Sequence, residues 1–169
     1  MTPGPIDQIP EMQLSAADEA AIAALLARCF TTDFGGRSFF THHHHLRLVM
    51  RDGGAIISHM ALLLRSVDLG GQRVTVAGLA EVATDPDHRG HGHAATLLRA
   101  AIIAAKASPA AFLLLFGQAR LYGATGFRAV PNPVTQLDLQ PGATAGLMVL
   151  ALQGVQWPAG VLDLRGPVF

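Results

Sequence analysis

The sequence lacks the features that mark several large classes of protein. It carries no excess of either charge, since 12 basic and 12 acidic side chains give a formal net charge of zero. Duplex-binding proteins normally show a basic excess, so nucleic acid is not expected as a partner. Charged residues make up only 14% of the chain and hydrophobic residues 50%. We therefore expect an ordered chain, with flexibility confined to the ends and in particular to residues 1–12.

Cysteine and long apolar runs are also scarce. Cys29 is the single cysteine, so no internal disulfide can form, and we interpret it as a buried thiol in a reducing cytoplasm. The longest apolar stretch, 107–116, is interrupted by Ser108 and Pro109 and is too short to span a bilayer. The first ten residues hold three prolines and no apolar run, unlike a signal peptide. These absences predict a cytoplasmic protein with no membrane partner.

The order of the predicted elements indicates an α/β fold. The 169 residues fit a single domain over 1–169, and Ser15 is a good N-cap for the first helix. Gly53-Gly54 and Gly70-Gly71 mark turns between strands. The predicted helices are 15–30, 92–107 and 118–125, and the predicted strands are 46–50, 55–67, 73–84, 111–116, 134–139 and 146–152. This order predicts a central mixed, mostly antiparallel sheet with helices on both faces.

Residues 82–95 hold the most informative pattern. A strand ends, Asp85-Pro86-Asp87 follows, and a loop at 89–94 that reads Arg-Gly-His-Gly-His-Ala leads at once into a long helix. The first turn of a helix presents unpaired N–H groups and a partial positive charge, which together favour anions. Glycines in such a loop let phosphate oxygens approach the backbone. The spacing fits neither a Walker loop nor a dinucleotide fingerprint. A sharp turn bearing a surface arginine is the alternative.

Two motifs together resemble the GNAT (Gcn5-related N-acetyltransferase) superfamily. The spacing Arg89-x-x-Gly92-x-Ala94 resembles that family's acyl-CoA pyrophosphate loop. Residues 118–127, QARLYGATGF, resemble its short tyrosine-bearing helix, and the likeness covers roughly 46–139. It implies the GNAT fold, a strand splay that holds acyl-CoA, and acetyl-CoA as co-substrate without a metal. The residues it assigns to the cofactor are Val82, Ala83, Thr84, Arg89, Gly90, His91, Gly92, His93 and Ala94, with main-chain groups of Val82 and Thr84 facing the acetyl and pantetheine portions.

Two residues are predicted to carry proton transfer. The resemblance gives Tyr122, the only tyrosine, the role of general acid for the departing thiolate; a helix residue packed under the sheet is the alternative. Glu81 is the candidate base, because a carboxylate in an otherwise apolar strand is costly to bury unless it is paired or functional. Aminoglycoside 2′-N-acetyltransferases place a glutamate similarly. Alternatively, Glu81 is a structural residue or faces solvent at a bulge. His59 is the reserve candidate for the base.

Two segments, the histidine run at 42–45 and the tail at 153–169, are predicted to lie near the site of the acceptor substrate. His42 to His45 cannot all face one metal from regular structure, so we expect no metal and interpret them as a polar segment on the acceptor side. The segments Trp157-Pro-Ala-Gly and Arg165-Gly-Pro-Val-Phe resemble the ends of nodulation protein A and of the aminoglycoside 2′-N-acetyltransferases. This implies that the tail 153–169 packs near the acceptor site, although a purely structural tail is the alternative.

The resulting functional hypothesis is direct transfer of acetyl from acetyl-CoA to a primary amine of a small molecule, with an amino sugar as one option. A longer-chain acyltransferase of the nodulation protein A type is an alternative. A catalytically silent CoA-binding sensor is another. GNAT proteins are often dimers, so the resemblance also implies a homodimer.

Overall fold

Two compact units make up the part of the chain that the computed structural model describes, residues 4–137 and 146–169. The first unit comprises the residues up to Leu62 together with Ala80–Ile103. The second comprises Leu63–Leu79 and Ala104–Phe169. Each unit combines helix and strand, and the α/β class predicted from the order of elements is confirmed.

The first unit is built on antiparallel strands and two helices. Its strand order is β1-β2-β3-β4, with β1 antiparallel to β2 and β2 antiparallel to β3. A chain reversal at Gly53-Gly54, as predicted, joins β2 to β3. The elements that lie wholly or partly in this unit are β1 (Ile6–Pro10), α1 (Ala16–Cys29), β2 (Leu46–Asp52), β3 (Ala55–Leu69), β4 (Gln72–Thr84) and α2 (His93–Lys106).

Helix α1 forms where the sequence predicts it. The Ser15 side chain accepts a hydrogen bond from the Asp18 amide at 3.0 Å, which satisfies one of the unpaired donors of the first turn. Its apolar stripe of Ile22, Leu25 and Leu26 is fully buried. Each such side chain stabilises the fold by about 2 kcal/mol through burial alone. The stripe packs in a core cluster with Phe34, Val49, Ile56 and Ala83.

The amino-terminal segment differs from the expectation that residues 1–12 are flexible. Ile6–Pro10 form β1, which pairs with β2 from Ile6↔Met50 to Pro10↔Leu46. Arg51 anchors it further, since its guanidinium donates to Asp7 at 2.8 Å. Proline is tolerated at the end of an edge strand, and the two prolines that flank this short segment hid it from a reading of the sequence.

The second unit contains a strand that is buried at all but its last residue. β5 (Phe112–Phe116) is parallel to β4 over Val76–Gly78 and antiparallel to β8 (Leu147–Ala151). Phe112, Leu113 and Leu114 are at most 1% exposed, as expected for a continuous apolar run. The remaining elements of this unit are α3 (Ala119–Tyr122), β6 (Arg128–Ala129), β7 (Val134–Leu137) and β9 (Leu162–Pro167), with strand order β4-β5-β8-β6 and with β9 pairing to β3 and β7.

The carboxyl-terminal tail contains a strand that the sequence did not predict. β9 pairs with the end of β3 and lies parallel to β7. Beyond it, the Phe169 ring lies against Gly78, where a Cβ would meet the ring at 2.6 Å, so only glycine fits there. The predicted strand at 134–139 is confirmed over Val134–Leu137, and its last two residues lie outside the described part of the chain.

No helix in the described residues has both the length and the apolar character needed to cross a lipid bilayer.

Candidate active site

A cleft of about 320 Å³ opens in the first unit where β4 leads through a loop into α2. Cys29 and Phe30 form part of its wall, and His88 contributes from the loop. Every residue predicted to hold the cofactor lines it except His91; these eight are Val82, Ala83, Thr84, Arg89, Gly90, Gly92, His93 and Ala94. The structure therefore brings the predicted cofactor residues together around one opening.

The loop that frames this cleft is anchored through Asp85. Its carboxylate accepts a hydrogen bond from the Asp87 amide at 2.9 Å and forms an ion pair with Arg28 of α1. The Asp85 amide donates to the Ile57 carbonyl at 2.9 Å. The hydrogen bond from the Asp87 amide, together with a side-chain hydrogen bond from His88 and the positive charge of Arg28, lowers the pKa of Asp85, so the carboxylate stays ionised and holds the turn before the helix.

The start of α2 has the form of an anion cradle. Gly90 and Gly92 have φ values of 80° and 78°, in the left-handed region that favours glycine. A Cβ at either position would meet no atom within 4 Å, so it would project into open space. Helix geometry leaves the amides of the first turn without intrahelical acceptors, and the dipole adds positive charge. Such an arrangement is typical of sites that bind phosphate groups.

Arg89 and Cys29 both make contact with the main chain of Thr84. The exposed Arg89 donates from Nε to the Thr84 carbonyl at 3.1 Å, and the Cys29 thiol lies 3.3 Å from the same oxygen. Cys29 is half-buried, which corrects the interpretation of it as a buried core thiol. The reason is positional: α1 ends at Cys29, and its last turn reaches the wall of the cleft.

The two histidines of the loop occupy different environments. His93, the first residue of α2, is 8% exposed, and its buried Nδ1 has no hydrogen-bond partner. His91 is exposed, and its Nδ1 lies 3.3 Å from the His88 carbonyl oxygen. The sequence pattern assigned both residues to the cofactor, and the structure separates them by burial.

Glu81 is buried within a cluster of polar side chains. Its side chain is 8% exposed, which excludes the alternative that it faces solvent. Oε1 accepts from the Phe40 amide at 2.8 Å, and Oε2 lies 2.8 Å from Nε2 of His44 and 3.6 Å from Nη1 of Arg47. Glu81 also has φ of 51°, which is uncommon for a residue with a Cβ. The surroundings over-determine this conformation, as is typical of functional or tightly constrained positions.

Arg47 is the centre of that cluster, and it was not among the predicted site residues. Its side chain is 0% exposed. Nε and Nη2 donate to the two oxygens of Glu11 at 2.7 and 2.9 Å, and Nη1 donates to the Ser38 carbonyl at 2.7 Å. Burial opposes ionisation of Glu11, but hydrogen bonds from Arg47 and His43 outweigh it and hold the pKa of Glu11 at about 2. A lone charge in an apolar strand identified Glu81, and the same signal was present for Arg47.

His59 is engaged through both ring nitrogens. It is 0% exposed; Nδ1 donates to the Glu81 carbonyl at 2.9 Å, and Nε2 lies 3.3 Å from Nη1 of Arg47, where it can only accept. Burial, reinforced by the charge of Arg47, lowers the pKa of His59 to about 4. A neutral imidazole with no free lone pair cannot take a further proton readily, so Glu81 is the better candidate for the base.

The buried His59 predicts a specific loss of stability in mild acid. In the unfolded chain its pKa is near 6.5, and in the folded protein about 4, so the unfolded state binds the proton first as pH falls. The free energy of unfolding is therefore unaffected by titration of this group above pH 6.5. It falls by about 3 kcal/mol in total between pH 6.5 and 4. Urea unfolding at intervals from pH 7.5 to 4 measures this.

His59→Asn is the control for that series. Asparagine cannot titrate, so the variant is expected to be less stable at pH 7.5 but to show a flatter pH dependence above pH 4.5. The Glu11 contribution falls only below that value, as pH drops from 4.5 towards 2. Parallel curves for both proteins between pH 6.5 and 4.5 would contradict the assignment.

Tyr122 lies in the second unit, at the end of α3. Its ring lies 6.1 Å from that of Phe127, centroid to centroid, at 64°. A Cβ on Gly117 would lie 2.8 Å from the Tyr122 ring. Burial raises the pKa of the Tyr122 phenol, so the hydroxyl keeps its proton through the neutral range, as a general acid requires.

Among the residues that the structure describes, no group of three or more His, Cys, Asp or Glu side chains could hold a metal ion. In particular, neighbouring histidines of the run contact different carboxylates: His43 contacts Glu11 and His44 contacts Glu81.

Known proteins resemble this chain in sequence or in fold. Nodulation protein A from Azorhizobium caulinodans is 29% identical in an alignment of 152 positions that covers 79% of this chain and 67% of that protein. The GNAT family N-acetyltransferase YhbS from Escherichia coli, solved in complex with CoA, has a TM-score of 0.68 at 24% identity over 96% of this chain and 89% of that one. A GNAT family acetyltransferase from Brucella melitensis, solved with acetyl-CoA, gives 0.64 at 20% identity over 94% of both chains. These structural likenesses establish the fold.

The family follows from a sequence comparison. The family model described as the acetyltransferase (GNAT) domain matches residues 12–130, well over half of the chain. That span includes both the loop at 89–94 and the segment at 118–127 on which the resemblance was based, and the resemblance is confirmed. The chain belongs to the GNAT acetyltransferase family and is accordingly an acyltransferase.

Proposed function

We propose that this protein transfers an acetyl group from acetyl-CoA directly to a primary amine of a small molecule. The observation that carries the proposal is the cradle at Gly90 and Gly92, whose positive φ angles and open Cβ directions lie beside the first turn of α2. Backbone amides in such an arrangement suit a diphosphate. The donor supplies an activated thioester, and the residues of the chain bind it, orient it and move protons.

The donor would lie along the cleft described above. The amides from Gly90 to Ala94 would hold the diphosphate, with the Arg89 side chain adding positive charge at the rim. Main-chain groups of Val82 and Thr84 would direct the pantetheine arm and the acetyl carbonyl. Because these contacts are mostly main-chain, conservative side-chain changes at 82–84 should affect binding mainly through bulk.

Proton transfer in the proposal falls to Glu81 and Tyr122. An ammonium acceptor must lose a proton before its nitrogen can attack, and the Glu81 carboxylate, with Arg47 3.6 Å away, provides the negative charge that favours this loss. The departing thiolate needs a proton or hydrogen bond, which a protonated phenol provides. Tyr122 suits that role because burial raises the pKa of its phenol and so keeps it protonated.

The acceptor side of the proposal rests on the tail and on the likeness to nodulation protein A. We propose that the segment 153–169 lies near the acceptor and that an amino sugar is one class of acceptor. The 29% identity to nodulation protein A also favours a second candidate function, transfer of a longer acyl chain. The intact glycine loop supports CoA as the donor in preference to a carrier protein. We also propose a homodimer, because members of the family often form dimers. A cytoplasmic location is proposed because the sequence holds a single cysteine.

A thiol-release assay tests the proposed reaction. Acetyl-CoA is mixed with the protein and with members of a panel of amino sugars, polyamines and alkylamines, and free CoA thiol is followed. Release that depends on both enzyme and amine is expected. Release with decanoyl-CoA but not acetyl-CoA would favour the longer-chain candidate. Tight CoA binding without release for any amine would overturn the catalytic proposal and favour a sensor.

A further inference from the structure

We infer that His44 is the immediate proton acceptor of this site and that Glu81 is the carboxylate that positions it. The inference rests on the proposed function and divides the work of the base between two residues. His44 lies in a run of four histidines that the sequence analysis interpreted together as a polar segment on the acceptor side. Its place in the structure is different from that of its neighbours.

The His44 ring is buried and is bonded through only one nitrogen. Its side chain is 1% exposed, and Nε2 lies 2.8 Å from Oε2 of Glu81. An ionised carboxylate only accepts hydrogen bonds, so opposite such a group Nε2 carries the hydrogen, and in the neutral form of the ring the lone pair lies at Nδ1. That Nδ1 is buried and has no hydrogen-bond partner. Buried polar atoms are nearly always paired, and an unpaired one calls for an explanation such as a catalytic role or a bound water.

His59 provides an internal comparison within the same cluster. It is buried to the same degree, yet both of its nitrogens are engaged, one with the Glu81 carbonyl and one with Arg47. Two buried histidines therefore surround one glutamate, and of these two only His44 keeps a lone pair available. A cluster whose only purpose was to hold the segment 30–45 against β4 would have no reason to leave that atom unpaired.

The charges around the pair suit a proton that arrives at Nδ1. Arg47 lies 3.6 Å from Oε2 of Glu81 and stabilises the negative charge there, while its own charge is shared with Glu11. The His42 ring lies 5.9 Å from the His44 ring, and the neutral His59 contacts the main chain of Glu81. A protonated His44 would thus form an ion pair with Glu81. The negative charge of the carboxylate would offset the positive charge that the proton brings.

The proton transfer is balanced as follows. An N–H bond of the acceptor ammonium breaks, and its electron pair stays on nitrogen as the attacking lone pair. The proton passes, directly or through one water molecule, to Nδ1 of His44, where a new N–H bond forms. The positive charge that leaves the amine becomes the imidazolium charge, which Glu81 stabilises through the existing Nε2–H bond. Glu81 is then a positioning residue, and its carboxylate keeps the tautomer that exposes Nδ1.

His44→Gln, with His43→Gln as the matched control, tests this assignment. Glutamine retains an N–H donor for Glu81 but cannot titrate, whereas His43 is an exposed neighbour whose Nδ1 faces Glu11. The assay uses acetyl-CoA and the amine of the panel that releases thiol fastest. We expect His44→Gln to lower kcat/KM about 30-fold at pH 7.5, with the KM for acetyl-CoA unchanged and with the acidic ionisation removed from the pH profile. His43→Gln should stay within about twofold of the unaltered protein.

A second variant separates a chemical role from a structural one. In His44→Ala, added imidazole is expected to restore part of the lost rate, since it can supply the missing lone pair. A pH profile of His44→Gln that keeps its acidic limb would overturn the inference, as would a rate loss that follows only a fall in thermal stability. Absence of thiol release by the unaltered protein with every amine would overturn the proposed function itself, and the role of His44 with it.

Discussion

Gly92→Val is expected to weaken CoA binding at least about 100-fold, which corresponds to about 2.7 kcal/mol. The backbone at Gly92 has φ of 78°, and a Cβ there would project into space that no protein atom occupies. If that space receives a phosphate, valine excludes it sterically. Valine also resists this backbone conformation, so it would disturb the first turn of α2 and its free amides. Isothermal titration calorimetry with CoA measures the loss.

Gly71→Val is the matched control for that experiment. Gly71 lies in the reversal between β3 and β4 and has φ of 83°, and a Cβ there would likewise meet no atom within 4 Å. The two substitutions therefore impose a similar backbone strain, but only one of them lies in the proposed cradle. The control is expected to lose thermal stability and to bind CoA normally. Wild-type affinity in Gly92→Val would rule out the loop as the diphosphate site.

Tyr122→Phe is expected to lower kcat between about 100-fold and 10 000-fold, the range typical of a lost general acid. Phenylalanine keeps the ring and so keeps the contacts with Phe127 and the close approach to Gly117. Affinity for CoA and the midpoint of thermal unfolding should therefore change little. Single-turnover measurement of thiol release from acetyl-CoA gives the rate directly. Normal turnover in this variant would remove Tyr122 from the mechanism.

The phenol can also be examined by itself, because Tyr122 is the only tyrosine in the chain. Burial raises its pKa above the ordinary value of 10.0. The ultraviolet absorbance of tyrosinate should accordingly appear only above pH 10 in the folded protein. Ionisation at a lower pH would mean that the hydroxyl is less suited to protonating a thiolate than the proposal requires.

Features that are contiguous in sequence were predictable. The N-cap at Ser15, the glycine reversals between strands and the loop at 89–94 each depend on residues within a few positions of one another, where local geometry decides the outcome. The same holds for β5, whose unbroken apolar run indicates burial on both faces. The candidate cofactor residues could be named from the sequence because the helix start, the glycines and the arginine fall within one short segment.

Features that depend on distant pairing were not predictable. His44 and Glu81 are 37 residues apart and meet at 2.8 Å, and nothing in a run of four histidines distinguishes the one that is buried. β1 and β9 are short strands in proline-rich segments whose order comes from pairing with β2, β3 and β7. Arg47 is the exception, since a lone arginine within an apolar strand is a readable signal of a buried ion pair.

A crystal structure of the protein with CoA tests the proposed donor site most directly. We expect diphosphate oxygens within hydrogen-bonding distance of the main-chain amides of residues 90–94, at the start of α2, with the pantetheine arm running past Val82 and Thr84. A nucleotide bound elsewhere on the protein, with that helix start making no contact with phosphate, would contradict the assignment.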